Sequence, residues 1–296
     1  MAALIEVNTD GLAKFAETIC FALGGTARGV RKMADAKAYA LELEAITENK
    51  VALIKKEGKE ALANYIVAKE NRKLQNTMAV IEKAQAHFVQ GEKVSAEPVD
   101  EGWKNRFFGI IEEISDEELR EIWGRVLAGE IKRPKSYSLR TLETLRNLTK
   151  EEASVVVKAA PYIIGDLCLY KDSILTLQER LLLQEIGLML DDGIGLEFNW
   201  EVKGKGTLSI PLDNNFIFIL HNDKEDTVKC NTEVYKLSTA GKEIFKLVNF
   251  DMSERESFYK TLANHFYKKG ITQIYKHKIV KTKPVITYDL KGEKLV

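Results

Sequence analysis

Cysteine is scarce in this chain, and the three present stand apart. Cys20, Cys168 and Cys230 are odd in number, distant from one another and set among apolar residues. They exclude a disulfide framework and point to reduced thiols in a cytosol. Neither sign of charge predominates, because 44 basic residues balance 44 acidic ones. Whole-molecule charge therefore favours no class of partner, and any electrostatic partner must be met by a local patch. No uncharged run approaches the ~20 apolar residues of a spanning helix. The first residues also lack a basic stretch leading into an apolar run and a small-residue cleavage site. The expected location is cytoplasmic.

Motifs of catalysis are missing as well. The four histidines, His87, His221, His265 and His277, form no H-x-x-x-H pair, and the cysteines form no C-x-x-C pair, so no zinc signature exists. No serine sits in a G-x-S-x-G elbow, and there is no dinucleotide fingerprint. The glycines of GGTARG at 24–29 lack the Lys-Ser/Thr that a phosphate loop needs; Gly24, Gly25 and Gly29 are read as a break between helices or a close helix crossing. No cofactor and no metal are expected, and the balance is against an enzyme.

The densest local signals lie in residues 97 to 148. Pro98 ends what precedes it. Trp103, Phe107, Ile110, Ile111 and Ile114 recur at helical spacing. Ser115 and Glu118 have the spacing of a capping box. Leu119, Ile122, Trp123, Val126 and Leu127 give the stripe of a second helix, with Gly129 as its stop. Ser138 caps a third helix, and Thr149 with Glu152 boxes a fourth. Helices of this length joined by short turns are expected to form a compact bundle.

The words EPVDEGWKNRFF, SDEELREIWGRVLAGEIKRP and SYSLRTLETLRNLTKEEA in this stretch resemble the signature of an uncharacterised bacterial family, domain of unknown function 2806, most closely over residues 97–153. The resemblance implies a charged helical N-terminal region and a mixed C-terminal region, and it carries no catalytic residues. The N-terminal pattern also resembles that of abortive-infection proteins of the alpha type, which implies a link to phage defence.

Two readings attach to the charged side chains here. Asp100, Glu101, Glu112, Glu113, Asp116, Glu117, Glu118, Glu121 and Glu130 could supply a carboxylate pair for a metal-dependent nuclease. A solvated face with capping acids is the preferred reading. Arg125, Lys132, Arg133 and Arg140, with Arg106 and Arg146 nearby, are candidates for an anion site, weighed against salt bridges to the neighbouring acids.

Upstream, residues 8–23 place Leu12, Phe15, Ala16, Ile19 and Leu23 on one helical face, with Lys14 and Glu17 off it. Packing on the protein's own helices is preferred over contact with a membrane surface. From Val30 to Gln90 there is no proline. The apolar residues Ala36, Leu43, Ile54, Leu62, Tyr65, Leu74, Met78, Ile81 and Phe88 form an irregular heptad with a kink at Gly58. Such a helix either packs back on the centre or self-associates, and a homo-oligomer built through the N-terminal helices is expected.

Downstream, Pro161 is expected to break a helix that passes into strand. Thr176 with Glu179 opens a helix from Leu177 to Leu190, which ends at Asp191-Asp192-Gly193. GLEFNW, TLSIP, NFIFILH and EVYKLS suit antiparallel hairpins. Ser238 caps one helix and Ser253 with Glu256 another, before two strands, ITQIYKHKIVK and PVITYDL. The phrase YKLSTAGKEIFKLV resembles the end of winged-helix regulators.

Lys268, Lys269, Lys276, Lys278, Lys281 and Lys283, interleaved with Tyr267, Tyr275 and His277, make a candidate nucleic-acid surface. The alternative is an edge strand guarded by exposed lysine. The expectation is thus an α+β chain in three parts: a long-helix arm over 1–96, a helical bundle over 97–160 and a C-terminal α+β domain with an antiparallel sheet over 161–296. The functional reading is a non-enzymatic, self-associating protein that binds a macromolecular partner. The alternative is a nucleic-acid-binding regulator with a winged-helix-like C-terminal domain.

Overall fold

A computed structural model of the chain describes residues 8–22, 48, 60–169, 175–190, 196–281, 285–289 and 291–296. Gly24, Gly25, Gly29, Gly58 and the turn at Asp191-Asp192-Gly193 lie outside the described residues. The fold is α+β, in two compact units, Met1–Arg146 and Asn147–Val296. Among the described residues no helix is long and apolar enough to cross a membrane.

In the first unit, strand β1 (Asn8–Asp10) pairs antiparallel with β2 (Lys93–Ser95). Helix α1 (Gly11–Ala22) starts where Asp10 Oδ1 accepts the Ala13 N–H at 3.0 Å. Its Phe15 and Ile19 are buried, as the apolar stripe requires. Lys14, expected off that face, is buried too, and its Nζ donates to the Ser95 carbonyl at 2.7 Å. Burial pulls its pKa below the usual lysine value, against the opposing pull of Glu97 and Glu130.

Helix α2 (Glu60–Gln85) lies along the later helix α4 (Glu117–Lys132). The two backbones meet at Gly124, where a Cβ would stand 2.6 Å from Lys83 Cβ, so only glycine permits the crossing. Asn76, Thr77, Val80, Ile81 and Ala84 of α2 are buried. Asn76 also accepts from Arg120 Nη2 at 2.8 Å and donates to the Glu112 carbonyl at 2.9 Å.

Helix α3 (Glu101–Ile111) is capped by Asp100, which accepts the Trp103 N–H at 2.8 Å. The cap of α4 is Asp116 rather than Ser115. Its carboxylate accepts the N–H groups of Glu118 and Leu119 at 3.0 and 3.1 Å, and a charged acceptor suits a helix start better than a hydroxyl. Gly129 does not stop the helix, which runs on to Lys132. Its missing side chain instead makes room for the Tyr137 ring, 2.7 Å from where a Cβ would sit. Ser138 caps α5 (Leu139–Asn147) as expected, accepting from the Thr141 N–H at 3.3 Å.

The second unit opens with α6 (Lys150–Ala159) and its Thr149/Glu152 box. Pro161 sits in a 3-10 turn that leads to the hairpin β3 (Ile163–Ile164) and β4 (Leu167–Leu169). Helix α7 (Leu177–Glu185) has its Thr176/Glu179 box but is shorter than expected. Gly187, at φ +75°, turns the chain, and Leu190 N–H donates to the Lys236 carbonyl. Strands β5 (Leu196–Val202), β6 (Gly206–Pro211), β7 (Phe216–Asn222) and β8 (Val228–Lys236) follow. Ser238 caps the short α8 (Thr239–Phe245). Gly241 in this helix lies against the Leu188 carbonyl with no room for a Cβ.

Helix α9 (Met252–Lys268) is capped by Asp251, not Ser253. Glu256, assigned to that box, reaches a strand instead. Strands β9 (Gln273–Lys281), β10 (Thr287–Tyr288) and β11 (Glu293–Lys294) complete the unit.

Only β6 and β7 form a hairpin among the four middle strands. One sheet has the order β3-β4-β8-β5, the other β10-β9-β7-β6 with β11 also on β9, and all pairings are antiparallel. Phe258, Tyr259, Leu262, Ala263 and Phe266 of α9 share one core with Trp200, Phe218, Leu220, Cys230 and Ile274 from both sheets.

Candidate binding surface

Strand β9 decides what the C-terminal lysines can do. Successive side chains of a strand face opposite ways, so Ile274 and Lys276 share one face while Gln273, Tyr275 and His277 share the other. Ile274 is in the core with α9, and Lys276 beside it is 9% exposed. The Lys276 ammonium sits between Glu256 of α9 and Glu293 of β11, 5.1 Å over the Phe216 ring. Burial works against its charge, but the bonds to the two carboxylates outweigh burial and raise its pKa above the usual lysine value. Lys276 is an internal tie.

The opposite face carries a row of rings. His221, Tyr275, His277 and Tyr288 follow one another at centroid distances of 5.5, 6.2 and 4.9 Å. His277 Nδ1 lies 2.7 Å from the Asp289 carbonyl, and Gly292 packs against its ring. Tyr275 Oη donates to Gln273 Oε1 at 2.9 Å. The strand is not at an edge, since β7 flanks it on one side and β10 and β11 on the other. The edge-strand reading of its lysines is therefore corrected. Lys278 and Lys281 are exposed, as are Lys268 and Lys269 at the end of α9. Lys269 Nζ donates to Asn231 Oδ1 at 2.8 Å. Lys283 lies outside the described residues.

Sequence reasoning overlooked a buried polar knot under α9. Arg255, 6% exposed, donates to the Ala160 carbonyl at 2.7 Å and lies over the Phe250 ring at 4.5 Å. Its Nη1 is 3.6 Å from Asp213 Oδ2, and Tyr259 Oη donates to that same oxygen at 2.7 Å. Burial, aided by Asp213, pushes the Tyr259 hydroxyl well above the ordinary tyrosine range. The signal was available, because Arg255 falls at helical spacing with Phe258, Tyr259, Leu262 and Phe266.

In the first unit most of the candidate carboxylates are engaged one by one, while Glu101 and Glu118 are exposed. Glu112 pairs with Lys73 at 2.5 Å, Glu113 with Arg146 at 3.3 Å and Glu117 with Lys83 at 2.7 Å. Glu121 meets His87 at 3.2 Å and Arg125 at 3.9 Å. Buried Glu130 accepts the N–H groups of Lys135 and Tyr137 at 2.7 and 3.0 Å, which shapes the turn after α4. Among the described residues no group of His, Cys, Asp or Glu is placed to hold a metal ion.

The candidate anion residues share this fate in part. Lys132 donates to the His87 carbonyl at 2.7 Å and pairs with Glu92 at 2.8 Å, holding the Glu92 carboxyl below its usual pKa. Arg133 and Arg140 are exposed. Burial pushes the Cys168 and Cys230 thiols up to about 12 and about 11, which makes poor nucleophiles of both.

This geometry defines an α+β protein with a helical segment ahead of a two-sheet unit, and with most of the candidate acids of the helical segment held in ion pairs and caps. Residues 62–164 match the model of the family described as "Protein of unknown function (DUF2806)", so the match runs from α2 to β3 and includes the whole stretch 97–153. No curated protein and no solved structure matches the chain.

Proposed function

We propose that this chain is a non-enzymatic cytosolic protein that self-associates through its N-terminal helices and offers its C-terminal unit to a macromolecular partner. The phage-defence role implied by the resemblance to abortive-infection proteins is part of this reading. The observation that carries it is the uneven burial of α2. The helix has 26 residues, about 39 Å at 1.5 Å per residue. From Asn64 to Gln75 its described side chains are exposed or half-buried, burial is seen from Asn76 onward, and Tyr65 is 63% exposed. An amphipathic helix whose residues 64–75 include no buried side chain supports a contact with another copy. The engagement of most candidate acids and the burial of the Cys168 and Cys230 thiols support binding over catalysis.

Tyr65→Glu tests this reading. Sedimentation of the wild type is expected to give a multiple of the chain mass. The variant is expected to dissociate at least tenfold more readily, a change of about 1.4 kcal/mol, as befits loss of an interfacial tyrosine. A wild type that sediments as one chain at every concentration tested overturns the reading.

A further inference from the structure

We infer that the outward stripe of α9 is a binding surface for the phosphate backbone of a nucleic acid. The inference rests on the reading that the C-terminal unit faces a macromolecular partner, and it names that partner's chemistry. It also moves the contact from β9 to the helix.

The charge pattern comes first. From Ser257 to Tyr288 the sequence holds seven lysines in 32 residues and no aspartate or glutamate. The structure sorts those lysines. Lys276 is buried between Glu256 and Glu293, and Lys269 is turned to Asn231. Lys260 and Lys268 are exposed on α9.

The helical period then fixes their company. Phe258, Tyr259, Leu262, Ala263 and Phe266 are buried, so the opposite arc is Ser257, Lys260, Thr261, Asn264, Tyr267 and Lys268, all exposed. Positions 260, 264 and 268 are successive turns of one line, and the two lysines stand about 12 Å apart along the axis at 1.5 Å per residue. The nearest acids along the helix are Glu254 in the first turn and Glu256, which is held by Lys276.

This inventory suits a phosphate backbone. Lysines neutralise phosphates, while Asn, Ser, Thr and Tyr side chains add hydrogen bonds to the sugar-phosphate chain. Tyr267, 52% exposed at the end of the stripe, offers a ring for stacking on a base. A lipid surface fits less well. Membrane-seeking helices present an apolar face, and the apolar face of α9 is consumed by the core.

The test uses the full chain with a short duplex DNA and its single strand, read by fluorescence anisotropy across a salt series. Wild-type affinity should fall steeply with salt. The double variant Lys260→Gln/Lys268→Gln should bind at least tenfold more weakly, and on duplex its salt slope should shrink by about 1.8, at 0.9 per lost phosphate contact. Asn264→Glu, which puts a carboxylate in the middle of the stripe, should weaken binding likewise. Lys278→Gln/Lys281→Gln on β9 should change little. The ratio of duplex to single-strand affinity tells which form is preferred, and either ratio upholds the inference.

Unchanged binding in both α9 variants overturns it. So does a loss confined to the β9 variant, or capture by anionic vesicles or polyglutamate without nucleic-acid binding. Light scattering on the same samples separates this from the assembly reading. A single chain that loses DNA with the α9 variants upholds the inference and removes self-association. An oligomer that ignores DNA does the reverse.

Discussion

Trp123→Ala is expected to destabilise the Met1–Arg146 unit by about 3–5 kcal/mol, the usual cost of deleting a large buried aromatic. Trp123 is fully buried, and the Phe107 ring packs edge-on to it at 5.6 Å. Phe107 in turn stacks on Trp103 at 4.9 Å, whose Nε1 donates to the Tyr137 carbonyl at 2.8 Å. One side chain of α4 thus anchors α3 and, through it, the turn that follows Lys132. The next residue, Gly124, is where α2 crosses, so the void would open beside that close backbone contact. Thermal unfolding by circular dichroism should show a transition lower by roughly 10 °C, given the usual few degrees per kcal/mol for a unit of this size. Hydrogen exchange should speed up in peptides covering 101–147 and stay unchanged in those covering 196–281. A shift under about 2 °C would mean that Trp123 is not the anchor argued here.

Arg255→Met is expected to cost the Asn147–Val296 unit about 3 kcal/mol. Methionine keeps much of the volume, so the loss is chiefly polar. The Ala160 carbonyl loses its side-chain donor and keeps only the Ile163 N–H, and Asp213 loses the nearby guanidinium. Breaking a fully buried ion pair costs about 3–5 kcal/mol. The lower end applies because Asp213 keeps 21% of its side chain exposed and still accepts from Tyr259. Urea unfolding followed by tryptophan fluorescence in a Trp103→Phe/Trp123→Phe background reports on this unit, since the remaining Trp200 packs against Phe266 of α9 at 5.2 Å. A midpoint equal to that of the wild type would show that the Arg255 knot adds no net stability. Arg255→Lys should recover little, because a single ammonium cannot serve the Ala160 carbonyl and Asp213 with the planar fork that guanidinium provides.

What the sequence disclosed and what it concealed follow from the range of each interaction. The boxes Thr149/Glu152 and Thr176/Glu179, and the caps Ser138 and Ser238, bind within three residues of themselves. They were legible for that reason. Ser115 and Asp116 compete at adjacent positions, as do Asp251 and Ser253 close by, and spacing alone does not rank a hydroxyl against a carboxylate. The local rule makes Gly129 a helix end. Its role depends on Tyr137, beyond the end of the helix.

Charged residues misled most where their partners were remote. Lys14 finds the Ser95 carbonyl 81 positions away. Lys276 finds Glu256 and Glu293 on two other elements, and nothing near it in the chain announces a buried ammonium. The same limit applies to β9, whose flanking strand β7 lies more than fifty residues upstream. Helical periodicity, by contrast, made the buried faces of α3 and α4 legible from their aromatic and aliphatic residues, because burial repeats on every turn. The α9 stripe could have been read the same way, as the complement of the buried positions.

The measurement that tests self-association most directly is light-scattering mass after size exclusion, with absorbance at two wavelengths, at low and at high salt. A multiple of the chain mass is expected in both buffers, because apolar contacts between helices are not screened by salt. Nucleic-acid absorbance, where present at low salt, is expected to be stripped at high salt. A mass of one chain in both buffers would contradict self-association.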